Sequence, residues 1–284
     1  LPGADYLGEQ LFGIAPERDL PTFRRETLVD WFEARGGCQV TPTAAEDQVL
    51  LFPDTFTNYS YPAPGKAAVE LLEAADVYVD IPDVAPSGRA AFSLGLLEQA
   101  RERAQRNVEA LAPKVDDGWS VVFVEPSDAV MFQDEYTDLL DGEAVLEVGA
   151  AAYGICEYLD VHRVDERLDV DGDAAADSHL TYHGHCNQKA TNTDHHTTAV
   201  LRRAGFDVDH LDSSCCGMAG SFGYEAEHYD LSKAIGRILY DQVEESPGEE
   251  VVAPGASCRT QLGDRPDGDR PPHPVERLRD ALTE

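Results

Sequence analysis

Four of the six cysteines, Cys186, Cys215, Cys216 and Cys258, fall in the second half of the chain; Cys38 and Cys156 stand alone. Thiolates are soft donors, and a set of four suits zinc or an iron–sulfur cluster. No two of the four form a local CxxC knuckle, so a shared metal has to be assembled from separate loops. Neighbouring side chains such as those of Cys215 and Cys216 tend to diverge. That is awkward for one tetrahedral zinc and fits a cluster whose irons lie farther apart. Gly217, Gly220 and Gly223 follow at once, and glycine lets backbone approach a cofactor and offer N–H groups to sulfur. The bland alternative is four buried, unreactive thiols.

The elements around these residues alternate. Short apolar runs predict strands near 48–52, 77–81, 120–125, 179–183, 206–211 and 250–253. Amphipathic stretches predict helices near 64–75, 92–112, 126–140, 194–204, 225–244 and 274–282, with further helical segments over 22–35 and near 144–160. Such alternation predicts an α/β fold with mostly parallel sheets covered by helices. In such a sheet the loops after the strands' carboxyl ends share one edge. Cys186 follows the strand at 179–183, Cys215 and Cys216 the one at 206–211, and Cys258 the one at 250–253. Three loops would therefore bring four thiols together.

The chain also repeats. Glu70–Gly88 aligns without gaps with Ala199–Gly217 at an offset of 129, and flanking blocks align at 130 and 128. Two pseudo-repeated Rossmann-like βα units follow from this. The expected division is a lead-in helical segment over 1–47, a degenerate first unit over 48–177 and a second unit over 178–284. The Ala/Asp run 171–177 reads as an exposed linker. By the same offsets Phe56, Pro86, Ser87 and Val130 occupy the places of the four cysteines in the first unit. None is a thiol, so one metal site is expected. Ser87, Gly88 and Arg89 could keep a cleft role there, with Arg89 holding a carboxylate or phosphate; the alternative is a surface arginine paired with a nearby acid.

Composition narrows the function. Of 284 residues, 42% are hydrophobic and 8% aromatic, which is enough for a folded core. With 22 basic and 54 acidic residues the net charge is −32, which would repel nucleic acid and anionic membranes. No apolar run approaches the roughly 18 residues of a transmembrane span. Only four of the basic residues are lysines. Acid-rich, lysine-poor composition points to a salt-rich cytoplasm, where screening weakens self-repulsion. The start, Leu1-Pro2-Gly3-Ala4-Asp5, has neither the basic region nor the apolar stretch of a signal peptide and lacks Met, as a piece of a longer chain would. Cysteines in a reducing compartment are expected as thiols or metal ligands.

Three stretches resemble the cysteine-rich CCG family: His183-Gly184-His185-Cys186-Asn187-Gln188-Lys189, Cys215-Cys216-Gly217-Met218-Ala219-Gly220-Ser221-Phe222-Gly223 and Pro254-Gly255-Ala256-Ser257-Cys258-Arg259. The family includes the cysteine-rich subunit of heterodisulfide reductase and iron–sulfur subunits of glycolate, lactate and anaerobic glycerol-3-phosphate dehydrogenases. The chain looks most like the carboxyl-terminal region of fused FAD-linked oxidases, and Leu11–Pro21 looks like the segment that follows their ferredoxin clusters. The fullest family pattern ends in CxxC, giving five thiolates. Here Cys258-Arg259-Thr260-Gln261 lacks the fifth, leaving [4Fe–4S], [2Fe–2S] or zinc open. His183 and His185 could add a ligand or support the cluster from outside it. His195-His196 read as solvated residues at a helix start.

The resemblance implies an iron–sulfur electron-transfer module. FAD and the ferredoxin-type clusters would sit on other domains of the parent polypeptide, and a quinone or soluble acceptor would take the electrons. It would be cytoplasmic, at most peripheral to the membrane. Two other readings stay open: a zinc-stabilised structural or docking module, and a heterodisulfide reductase-like thiol/disulfide site.

Overall fold

A computed structural model describes residues 13–176, 178–266 and 268–283. The amino-terminal segment 1–12, including the first two residues of the Leu11–Pro21 motif, lies outside the described residues, as do Asp177, Asp267 and Glu284. Seven strands form two sheets in which every pairing is parallel. The first holds β1 (Asp47–Leu51), β2 (Val77–Asp80), β3 (Ser120–Phe123) and β4 (Ala152–Gly154) in the order β2-β1-β3-β4. The second holds β5 (His179–Tyr182), β6 (Asp207–His210) and β7 (Glu250–Val252) in the order β6-β5-β7. Both sheets place their first strand centrally, with the second on one side and the third on the other, so the sequence repeat is also a topological one.

The strand residues explain the layering. Val49 and Leu51 join one apolar cluster and Leu50 the other; Val122 and Val121 divide in the same way. Side chains alternate across a strand, so a continuous apolar run feeds both faces of a buried parallel sheet. One cluster combines Val49, Leu51 and Val122 with Leu180, Tyr182 and Val252, and therefore spans both sheets. The two units are pinned further by side chains. Arg279 of helix Pro274–Asp280 pairs with Glu70 of helix Pro62–Ala74 at 2.7 Å. The fully buried His273 places Nε2 3.3 Å from the Val124 carbonyl, and its burial holds its pKa well below the usual histidine range.

Several expectations are corrected. The lead-in helix runs only over Leu28–Ala34, because Thr27 caps it: Thr27 Oγ1 accepts from Asp30 N and Asp30 Oδ2 from Thr27 N, both at 3.0 Å. The helical reading of 144–160 breaks into helix Glu143–Ala150, strand β4 and helix Ile155–Val161. An apolar run this short is ambiguous by period, and pairing of Val121 with Ala152 decides for strand. The predicted 126–140 helix contains a π-helical turn at Met131–Glu135. There Phe132 packs on Phe52, Phe123 and Tyr136. The Ala/Asp run is not a free linker: Gly172–Ala176 is helical and Ala175 is fully buried in the shared core.

Candidate metal centre

Each cysteine sits just beyond the carboxyl end of a strand of the second sheet. After β5, His183 is fully buried, and His185 caps helix Cys186–Ala190 by accepting from Asn187 N at 3.2 Å. Cys186 is therefore fixed as the first residue of that helix. After β6, Lys189 Nζ gathers the next loop, donating to Ser213 O at 2.5 Å and Ser213 Oγ at 3.0 Å. Cys215 and Cys216 follow, and Gly217 turns the chain at φ +90°, where a Cβ would stand 2.5 Å from Ser232 O. After β7, Gly255 begins helix Ala256–Gly263, which carries Cys258 in its first turn. A Cβ on Gly255 would lie 2.3 Å from the His185 ring and 3.4 Å from Cys258 Sγ, so the two loops approach as closely as glycine permits.

The four thiols form a row: Cys186 meets Cys215, Cys215 meets Cys216, and Cys216 meets Cys258. Donors and acceptors alternate along it. Donation to Cys215, reinforced by burial, pushes the Cys186 thiol up. Donation to Cys215 and Cys258 does the same for Cys216. Cys215 accepts from Cys186 and Cys216, which hold it far below the usual thiol range, and the Gly217 amide adds a donor at 3.4 Å. Acceptance from Cys216, aided by the charges of His183 and His185, holds Cys258 down as well. Cys216 and Cys258 are almost fully buried, while Cys186 and Cys215 are half-buried.

The residues fit a bound metal group. His183 Nδ1 is bonded to Ser213 Oγ at 2.7 Å and the ring interacts with the Cys258 thiol, while its Nε2 is buried without a partner at normal hydrogen-bond length. Such an orphan in a thiol-lined site asks for a further partner. Among the described residues, no three of these sulfur and imidazole atoms lie within 4.8 Å of one another.

Two supporting features were not legible in the sequence. Glu125, from the end of β3 in the first unit and 5% exposed, accepts from the Ala256 amide at 2.8 Å and lies 3.9 Å from His185 Nε2. Arg18 of the lead-in is buried. It donates to Gly223 O at 2.8 Å and Ser232 Oγ at 2.9 Å, and pairs with Asp264. The lead-in is also tied by backbone bonds from Ala15 N to Tyr224 O and from Ala226 N to Gly13 O, both 2.7 Å, so it buttresses the loop after Cys216. The repeat aligned Glu125 with Ala253, an apolar neighbour, and so gave no hint of its reach.

At the matching edge of the first unit stand buried carboxylates. Ser87 Oγ donates to Asp128, and Arg89 N donates to Ser87 Oγ at 3.2 Å. The Arg89 guanidinium pairs with Glu135 at 2.6 Å, an internal ion pair. Phe56 and Pro86 are not buried core there, whereas Val130 is. Burial, then the charge of Glu125, raises the Asp54 carboxyl to about 6. His196 is not solvated as expected: its Nδ1 lies 2.5 Å from Asp160, in the linking helix Ile155–Val161.

Residues 180–263 match the family profile of the cysteine-rich domain called CCG. That stretch of the second unit is similar to the CCG domain. The match contains all four clustered cysteines. The chain is similar over 278 residues, at 27% identity, to a component of the anaerobic glycerol-3-phosphate dehydrogenase of Escherichia coli, spanning 95% of this chain and 67% of that protein. It is 24% identical over 275 residues to D-2-hydroxyglutarate dehydrogenase of Pantoea ananatis, covering 93% of this chain but only 26% of that protein. The glycolate oxidase iron-sulfur subunit of Escherichia coli is 27% identical over 183 residues, 62% of this chain and 43% of that protein. These relatives are subunits or parts of oxidoreductases. No helix among the described residues is long and apolar enough to cross a membrane.

Proposed function

We propose that this chain is the iron–sulfur electron-transfer module of a FAD-linked dehydrogenase acting on a 2-hydroxyacid of the lactate or glycolate type. Flavin and ferredoxin-type clusters would lie on other domains or subunits of the same enzyme, and a quinone or soluble carrier would accept the electrons. The observation that carries this reading is the row of four thiols contributed by three strand ends. Cys186, Cys215, Cys216 and Cys258 would hold the cluster, and [4Fe–4S] matches four thiolates. When bound, it supplies a one-electron relay.

The chain's own residues suit that role. Hydrogen bonds from neighbouring thiols hold Cys215 and Cys258 below the usual thiol range, which favours ligation there. The Gly217 amide donates to the Cys215 sulfur, and such donors stabilise negative charge on a ligand. Burial of Cys216, Cys258 and His183 keeps water from one side of the site, while half-buried Cys186 and Cys215 leave the other side near the surface.

The deciding experiment is metal and acid-labile sulfide analysis with a visible spectrum on anaerobically purified protein. About four irons and four sulfides, with a band that bleaches under dithionite, would support the reading. One zinc without sulfide or colour would replace it with a structural or docking module.

A further inference from the structure

A cavity of about 1060 Å³ opens between the lead-in, the start of helix Pro62–Ala74 and the stretch from Arg259 to Arg277. Six arginines line it: Arg24, Arg25, Arg259, Arg265, Arg270 and Arg277. In a protein with 54 acidic residues, six arginines would be expected to find carboxylates. Most have not. Among the described residues, Arg277 alone of the six forms an ion pair, with Glu250 and Asp280.

The floor is the telling part. Arg259 is 4% exposed; its guanidinium makes no hydrogen bond among the described residues, and its Nε is buried without a partner. Arg270 stacks on Tyr61, 3.4 Å from the ring centroid, and donates from Nη1 to Thr260 Oγ1 at 3.2 Å, but its Nη2 is buried and unpartnered. Arg265 spends Nε on the Leu262 carbonyl at 2.9 Å. Glu250 pairs with Arg277, and Glu276 lies near Arg259 and Arg270 and Glu244 near Arg265, but among the described residues no lining acid forms an ion pair with Arg259, Arg265 or Arg270. Glu244, Glu249 and Asp269 are exposed at the rim, and Glu276 accepts from the His273 amide at 2.7 Å. A buried guanidinium nitrogen left without a hydrogen bond is costly, and the planar fork of arginine matches carboxylate and phosphate oxygens.

We propose that this cavity binds a small organic oxyanion bearing carboxylate or phosphate groups. Arg259 and Arg270 would hold it at the floor, Tyr61 would wall it, and Arg24 and Arg25 would guard the mouth. The volume is that of a metabolite site and not of a lone inorganic ion. The site does not depend on which metal the thiols bind.

Isothermal titration of the chain with citrate and with inorganic phosphate, each against sodium chloride at equal ionic strength, tests this. Saturable binding of either probe is expected. Arg270→Gln and the double variant Arg24→Gln/Arg25→Gln should each weaken it about tenfold or more, as loss of a charge-assisted contact does. Arg101→Gln, on the exposed helix Leu97–Asp116, should leave it unchanged. Tighter citrate would assign the site to carboxylates, and tighter phosphate to phosphate esters. Heats equal to those of chloride, or equal weakening by Arg101→Gln, would overturn the proposal. Circular dichroism on each variant separates lost binding from lost fold.

Discussion

The Glu125 carboxylate of the first unit accepts a hydrogen bond at 2.8 Å from the backbone amide of Ala256, two residues before Cys258. The other oxygen accepts from Ser127 Oγ at 2.8 Å and faces His185. One side chain thus fixes the height of the helix that presents Cys258 and limits where the His185–Cys186 turn can go. The unit without thiols is therefore a structural part of the thiol site.

Glu125→Ala should lower stability by about 1–3 kcal/mol, the cost of stranding a buried amide. It should also reduce the iron retained after anaerobic reconstitution. Glu125→Gln, which keeps an acceptor oxygen, should fall between the two. Urea melts and iron assays check this, and an Ala variant as stable and as metal-rich as the parent would count against it.

Metal-free protein should be alkylated first at Cys215. Its neighbours hold it as a thiolate throughout the neutral range, and it is half-buried, so its rate with iodoacetamide should be nearly flat from pH 5 to 8. Burial raises Cys38, whose rate should climb with pH, and pushes buried Cys156 up to about 12, so that it should not react. Peptide mapping across pH reads all three.

Asp54 carries a penalty that depends on pH. Its folded pKa, about 6, lies above the unfolded 3.8, so the folded state binds the proton more tightly. The chain is then least burdened below pH 4 and loses stability as pH rises through 6. Asp54→Asn keeps an oxygen to cap Thr57 N, now 2.8 Å away, and removes the charge. It should raise stability at pH 7–8 by about 1–3 kcal/mol and flatten the profile between pH 4 and 6. Denaturant midpoints at pH 4, 6 and 8 are the measurement; an unchanged slope would show the carboxyl to be ordinary.

Gly217→Ala should be among the worst single changes near the site. It forces φ +90° on a residue with a Cβ and drives that carbon to within 2.5 Å of Ser232 O. A loss of about 2–4 kcal/mol is expected, with release of the loop holding Cys215 and Cys216. Thermal melts and thiol accessibility to a bulky maleimide would report it.

The charge of −32 predicts salt dependence. The screening length shrinks from about 10 Å at 0.1 M to about 3 Å at 1 M salt. The melting temperature should therefore rise by several degrees between 0.1 and 2 M KCl, and no rise would refute the salt-adapted reading of the acidic surface.

The residues alone determined the layered α/β plan and the place of the thiols. Runs such as Val49-Leu50-Leu51 can be buried on both faces only as central parallel strands, and Cys186, Cys215, Cys216 and Cys258 each follow such a strand. Local pattern is enough for that, because strand polarity sends every following loop to one edge. Pattern could not decide what depends on partners far along the chain. Ala152–Gly154 became a strand only because β3 offered it a free edge. Arg18, 246 residues before Asp264, gained its role only when the lead-in packed on the second unit, and Glu125, 131 residues before Ala256, only when the two units packed together. The unpaired floor of Arg259 and Arg270 arose in the same way: composition counts charges, but only tertiary structure decides which of them meet.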